Sequence, residues 1–214
     1  IEKYRTEETV LFVVNTKEAA FEIYEELCKK KDSDMILVHL STNMCPENRR
    51  ILIKDLKEQL KGDKVICVTT CLIEAGVDIS FRCVIRSLAG MDNAAQAAGR
   101  CNRNGEEGKC CPVYLLNLCE ERIGNMKAIK TAQDVSRQII ESSGYEDLAS
   151  VKVMEMYFRK YYMECKNNLG YNVEDIGIKT DLVNLLSLNK CRNRGKNSYR
   201  VQAFKTAGEL FKMI

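Results

Sequence analysis

Over the first 118 residues, short apolar runs alternate with amphipathic stretches. Val10-Leu11-Phe12-Val13-Val14 has no polar break, the pattern of a strand covered on both faces, as in a parallel sheet. Asn15 or Thr16 then offers a side-chain oxygen to cap a helix that carries Ala20, Tyr24, Leu27 and Cys28 along one side. Met35 to Leu40 predicts a second strand. Pro46 suits the first turn of a second helix, with Leu52, Leu56 and Leu60 spaced four apart and Gly62 at its end. Lys64 to Thr69, Cys83 to Arg86 and Val113 to Leu118 predict three more strands. Between the last two lies Ala94-Ala95-Gln96-Ala97-Ala98-Gly99, whose small side chains permit close packing. Strands alternating with helices predict a parallel α/β sheet with right-handed crossovers, in which ligands bind outside the carboxyl ends of the strands.

Beyond about Glu120 the pattern turns helical. Met126, Ile129, Ile139 and Ile140 predict one helix; Val151, Met154, Phe158, Tyr161, Tyr162 and Cys165 predict another at spacings of three and four. Further helices are expected near Asp181 to Leu188 and from Val201. The expected organisation is a sheet domain over 1–120 and a mainly helical extension over 121–214. In Tyr157, Phe158, Tyr161 and Tyr162, helical spacing favours core packing over stacking on bases. The basic run Lys190, Arg192, Arg194, Lys196 and Arg200 reads as a solvated loop in preference to a nucleic-acid path.

Composition narrows the class. The chain is 45% hydrophobic and 29% charged, ordinary for a globular protein. The apolar runs are too short to cross a bilayer and the start carries no apolar signal segment, so a cytoplasmic location is expected and no membrane partner. Both ends read as cut, so the chain is expected to be a fragment. A net charge of +3 does not by itself announce a nucleic-acid binder. Eleven cysteines, an odd count, point to reduced thiols. There is no Cys-x-x-Cys; Cys67-x-x-x-Cys71 comes nearest and His39 is the single histidine, so no bound metal is expected.

Two polar blocks follow predicted strands. The first is Val68-Thr69-Thr70-Cys71-Leu72-Ile73-Glu74-Ala75-Gly76-Val77-Asp78-Ile79: a strand end, a turn, a glycine that lets backbone approach closely, then a carboxylate. Alone it reads equally as a loop with a turn glycine and a solvated Asp. The second, Gln96-Ala97-Ala98-Gly99-Arg100-Cys101-Asn102-Arg103-Asn104-Gly105, sets two arginines three apart, whose guanidinium forks can converge on one phosphate. Alone it reads as two solvated arginines at a helix end.

In this order the blocks match motifs V and VI of superfamily-two helicases. Their wording, with Leu88-Ala89-Gly90-Met91-Asp92 between them and His39-Leu40-Ser41-Thr42-Asn43-Met44-Cys45-Pro46, Arg49 and Arg50 before them, resembles the CRISPR-associated type I helicase–nuclease family. The segment Tyr199 to Phe211 resembles the stretch before that family's C-terminal domain.

The resemblance implies a second RecA-like domain: a parallel sheet flanked by helices, followed by a mainly helical segment. It implies that Arg100 and Arg103 are arginine fingers for ATP and that Gln96 sits beside the phosphates. Asp78 would bond the ribose, with Gly76 beside it. Thr70, Thr69, Ser41, Thr42, Asn15 and Thr16 would touch single-stranded DNA, through phosphate contacts that carry no base information. Cys71 stands where the family often has Gln and is given no role. There is no Gly-x-x-x-x-Gly-Lys-Ser/Thr loop and no Asp-Glu pair after an apolar strand. ATP and Mg²⁺ would therefore be held mainly by a first RecA-like domain, and the chain alone is expected to be inactive. The further partners implied are an HD nuclease domain, a C-terminal domain and an RNA-guided surveillance complex. Two rival readings stay open: another superfamily-two helicase half, and an ATP-independent nucleic-acid-binding module of the same fold.

Overall fold

The computed structural model describes residues 8–30, 33–73, 77–118, 121–124, 126–143, 147–166, 172–175, 178–181, 186, 190–193, 196–199 and 208. The chain divides into two compact units, Ile1–Arg159 and Lys160–Ile214. The first runs past residue 120, taking in the helix that follows the sheet.

In the first unit the elements run β1 (Thr9–Val13), α1 (Lys17–Lys30), β2 (Met35–Leu40), α2 (Pro46–Gln59), β3 (Lys64–Thr69), a 3₁₀ turn over Cys71–Ile73, β4 (Cys83–Ser87), α3 (Met91–Ala98), β5 (Val113–Leu116) and α4 (Lys127–Ser143). α5 covers Val151–Cys165. The five strands form one sheet in the order β2-β3-β1-β4-β5, with every pairing parallel. The strands predicted from apolar runs are all present, and the fifth stops at Leu116 instead of Leu118.

Alternate residues of the central strands feed two cores, because successive side chains of a strand point to opposite faces. Leu11, Val13, Leu40, Val65, Cys67 and Val84 pack with Leu56 of α2, Ile73 and Phe81. Val10, Val14, Ile66, Val68 and Cys83 pack with Ala20 of α1. Complete burial of a side chain such as Leu56 contributes about 1.5–3 kcal/mol. β5 is an edge strand, with Val113, Tyr114 and Leu116 exposed.

Local chemistry sets the helix starts. The Thr16 hydroxyl accepts from the Ala19 amide at 3.2 Å, capping α1. Pro46 opens α2. Gly90 precedes α3, and its amide donates to Asn93 Oδ1 at 3.2 Å. A Cβ at Gly90 would come within 2.1 Å of an Asp92 oxygen and 2.3 Å of the Tyr157 hydroxyl, so any larger residue would force both to shift. Tyr157 is the fully buried aromatic of α5, while Tyr162 is exposed, so core packing holds for the first and not the second.

Beyond α5 the sequence reading missed a sheet. β6 (Asn172–Asp175), β7 (Ile178–Asp181), β8 (Lys190–Asn193) and β9 (Lys196–Tyr199) form four antiparallel strands in sequential order. The helical segment expected after the first sheet is present as α4 and α5, but Lys190, Arg192 and Lys196 lie on strands and not in a loop. Asp181, where another helix was expected to begin, ends β7; most of that stretch, Arg194, Arg200 and the helix expected from Val201 lie outside the described residues. These strands are mostly charged and polar, so no apolar alternation announces them. No helix among the described residues is long and apolar enough to cross a membrane.

Candidate functional site

In a parallel sheet all carboxyl ends lie along one edge. Here Leu40, Thr69, Val13 and Arg86 are aligned across β2, β3, β1 and β4. The residues just beyond them therefore gather on that edge: Ser41 and Thr42 after β2, Thr70 after β3, Asn15 and Thr16 after β1. Thr42 is exposed. Thr69, Thr70, Ser41 and Thr16 are buried, and the Ser41 hydroxyl accepts from the Asn43 amide at 3.2 Å.

Asn15 is held on every side. Its Nδ2 donates to the Leu88 carbonyl at 2.9 Å and to Glu121 Oε2 at 2.8 Å, and its Oδ1 accepts from Arg86 Nη1 at 2.7 Å. Glu121 also accepts from the Asn15 and Thr16 amides and from the Ser87 hydroxyl. Arg86, 3% exposed, donates from the same Nη1 to the Ser87 carbonyl at 2.9 Å. Sequence reasoning missed Arg86, Ser87 and Glu121. A buried arginine within an apolar run was the one available signal, since a buried cation requires partners.

The second cluster forms around the segment after α3. The Phe81 amide donates to the Arg100 carbonyl at 2.9 Å and the Asn102 amide to the Phe81 carbonyl at 2.8 Å, so residues 100–102 run beside Phe81 like a short strand pair. The Arg103 amide donates to Ser80 Oγ at 2.9 Å. Asn102 takes a left-handed φ of 44°, which asparagine tolerates, and its side chain braces the following loop through the Lys109 carbonyl and the Glu107 amide.

This bracing separates the two arginines. Arg100 is 6% exposed and its Nε donates to the Ile73 carbonyl at 2.8 Å, fastening the 3₁₀ turn after β3. Arg103 stands in the open with its Nε 3.2 Å from Asp78 Oδ1. Gln96 is exposed on α3. Gly76 lies outside the described residues. An exposed guanidinium, an exposed amide and a neighbouring carboxylate suit a phosphate and a sugar hydroxyl. Among the described residues, no group of three or more His, Cys, Asp or Glu side chains is arranged to hold a metal ion. Burial pushes the Cys67 thiol far up from its ordinary value.

Comparison with known proteins finds a consistent likeness. Residues 6–106 match the family described as CRISPR-associated nuclease/helicase Cas3, C-terminal. Over those residues the chain is similar to that family. A CRISPR-associated nuclease/helicase Cas3 of Haloferax volcanii is 38% identical over 86 residues, which are 39% of this chain and 9% of that protein. The Cas3 of Methanothermobacter thermautotrophicus is 28% identical over 139 residues, 64% of this chain and 16% of that protein. The chain thus matches only a small part of the length of these Cas3 relatives. The crystal structure of T. fusca Cas3 with ADP superposes with a TM-score of 0.59 at 16% identity, over 74% of this chain and 22% of that one, which establishes the shared fold.

Proposed function

We propose that the chain supplies the second RecA-like half of an ATP-driven motor that moves on single-stranded DNA in CRISPR interference. The observation that carries this reading is the Arg103–Asp78 pair, brought together at 3.2 Å in the open beside the segment that follows α3. An arginine parked on an exposed carboxylate is free to exchange that partner for a phosphate, at little cost to the fold. Its planar fork then donates two hydrogen bonds to phosphate oxygens. Asp78 is left for the ribose, and Gln96 and Gly76 complete this wall.

Arg100 serves the same site from behind, holding the turn after β3 through the Ile73 carbonyl. Single-stranded DNA runs along the carboxyl edge of the sheet. Thr42 meets its backbone from the loop after β2, and Ser41, Thr69, Thr70, Asn15 and Thr16 shape the loops that line it. ATP and Mg²⁺ are gripped by a first RecA-like domain, because this chain has no phosphate loop. The nuclease domain, the C-terminal domain and the RNA-guided surveillance complex are the remaining partners of the reading, and the cytoplasm is its setting.

The test is DNA-stimulated ATP hydrolysis by an enzyme in which this chain is joined to its phosphate-loop half, comparing Arg103→Lys with Arg49→Lys as a control. Loss confined to Arg103→Lys is expected. Unchanged turnover in Arg103→Lys removes the reading.

A further inference from the structure

Glu121, beyond the carboxyl end of β5, ties together elements distant in sequence. Its Oε1 accepts from two successive backbone amides, Asn15 and Thr16, the latter at 3.0 Å. Its Oε2 accepts from Asn15 Nδ2 at 2.8 Å and from the Ser87 hydroxyl. A carboxylate offers about four acceptor positions, and here four donors use them. The Thr16 amide is that of the residue that caps α1, where a helix leaves its first N–H groups without internal partners, and the Asn15 amide directly precedes it. Glu121 reaches them across 106 residues of sequence, from the segment after β5.

The network continues in both directions. Behind Asn15, the buried Arg86 donates to Asn15 Oδ1 at 2.7 Å and fixes which way the amide group faces. Ahead of Thr16, Lys17 Nζ donates to Asn43 Oδ1 at 2.8 Å, and the Asn43 amide donates to the Ser41 hydroxyl. Two groups of hydrogen bonds, joined by the Thr16–Lys17 backbone, therefore lie along the sheet edge from the segment after β5 to the loop after β2. Thr42 sits inside the last of these links.

We infer that Glu121 is a positioning residue: it locks the Asn15–Thr16 turn to the end of β4 and thereby sets the loops that present Thr42 to a nucleic-acid backbone. This rests on the proposed function for the identity of the ligand, though not for the lock itself. Glutamine keeps the size but replaces one acceptor oxygen with an NH₂ group that faces donors. It is therefore a poor substitute despite its shape. A residue that merely adds general stability would loosen the sheet as a whole; a lock loosens one turn.

Hydrogen exchange and single-strand binding on the 214-residue chain test this together. In Glu121→Gln, the Asn15 and Thr16 amides are expected to exchange at least tenfold faster while the β3 amides of Ile66 and Cys67 keep their rates. Affinity for a labelled oligothymidylate at low salt is expected to fall about tenfold, with Glu106→Gln as an unaffected control. Unchanged exchange at Asn15 and Thr16 overturns the lock, and so does equal acceleration at Ile66 and Cys67. Faster turn exchange with unchanged affinity overturns its role in positioning. If the unaltered chain binds no oligothymidylate, the functional reading fails, and the exchange rates still decide the lock.

Discussion

Arg103 rests its guanidinium Nε 3.2 Å from Asp78 Oδ1, with the arginine side chain 39% exposed and the carboxylate 74% exposed. A pair this open is screened by water and holds little of the fold together. Arg103→Lys and Asp78→Asn are expected to change unfolding free energy by less than about 1 kcal/mol in urea titrations. In the joined enzyme, Arg103→Lys is expected to lower ATP turnover by about 10³-fold or more, the range of an arginine finger. A large stability loss with preserved turnover would invert this assignment.

Arg100 behaves in the opposite way. Its Nε–Ile73 carbonyl bond is buried, so Arg100→Ala leaves a carbonyl without its partner and a void around the turn after β3. The expected cost is about 1.5–3 kcal/mol of stability, read as a lowered urea midpoint. Activity lost in Arg100 variants is meaningful only when measured well below that midpoint.

Tyr157, 1% exposed, donates its hydroxyl to Asp92 Oδ1 at 3.0 Å and so ties α5 to the first turn of α3, the helix that carries Gln96. Tyr157→Phe keeps the ring and removes that bond. A loss of about 1.5–3 kcal/mol is expected, the value of a hydrogen bond to a charged acceptor. Gly90→Ala is expected to cost more, because its Cβ would strike both partners of the same bond. Thermal melts of the two variants rank them.

His39 lies beside Tyr24 and Phe21 of α1, with ring centroids 5.3 and 6.3 Å away, and burial lowers its proton affinity from the usual 6.5. The unfolded chain takes up a proton near pH 6.5, whereas the folded chain does so only at lower pH. This contribution is complete above that value and lost as pH falls through 6.5 towards the folded pKa. Urea midpoints measured from pH 7.5 to 5 are expected to decline, and His39→Gln to flatten that decline. The carboxylates Glu47 and Glu58, lowered by Arg50 and Lys61, act in a separate window below about 4.5.

Most of the first sheet was legible because its strands are apolar runs too short for helices, and Thr16 and Pro46 mark helix starts by chemistry that needs no tertiary context. The second sheet was not, since strands such as Lys-Cys-Arg-Asn have no apolar face to read. A weaker signal was present: the pairs Asp175–Ile178 and Asn193–Lys196 each enclose two residues ending in glycine, Ile176-Gly177 and Arg194-Gly195, the spacing of tight hairpins. At the candidate site, the arginines and Asp78 were legible as wording. The contrast between a buried Arg100 and an open Arg103 was not, because it depends on which strand each lies against. Glu121 was hidden in the Glu120-Glu121 pair, with no pattern in the sequence to mark it.

The two faces of the first sheet each hold a cysteine of their own, Cys67 on the α2 side and Cys83 on the α1 side, both shielded from solvent. A thiol must ionise and meet its reagent before it is alkylated, so each reacts only when its own layer parts. With Cys28, Cys45, Cys71 and Cys110 already accessible and quickly consumed, the alkylations of Cys67 and Cys83, followed peptide by peptide, time the breathing of each layer separately. Nucleotide or DNA that stiffens one side of the sheet would therefore be seen as a delay at one sulfur and not the other.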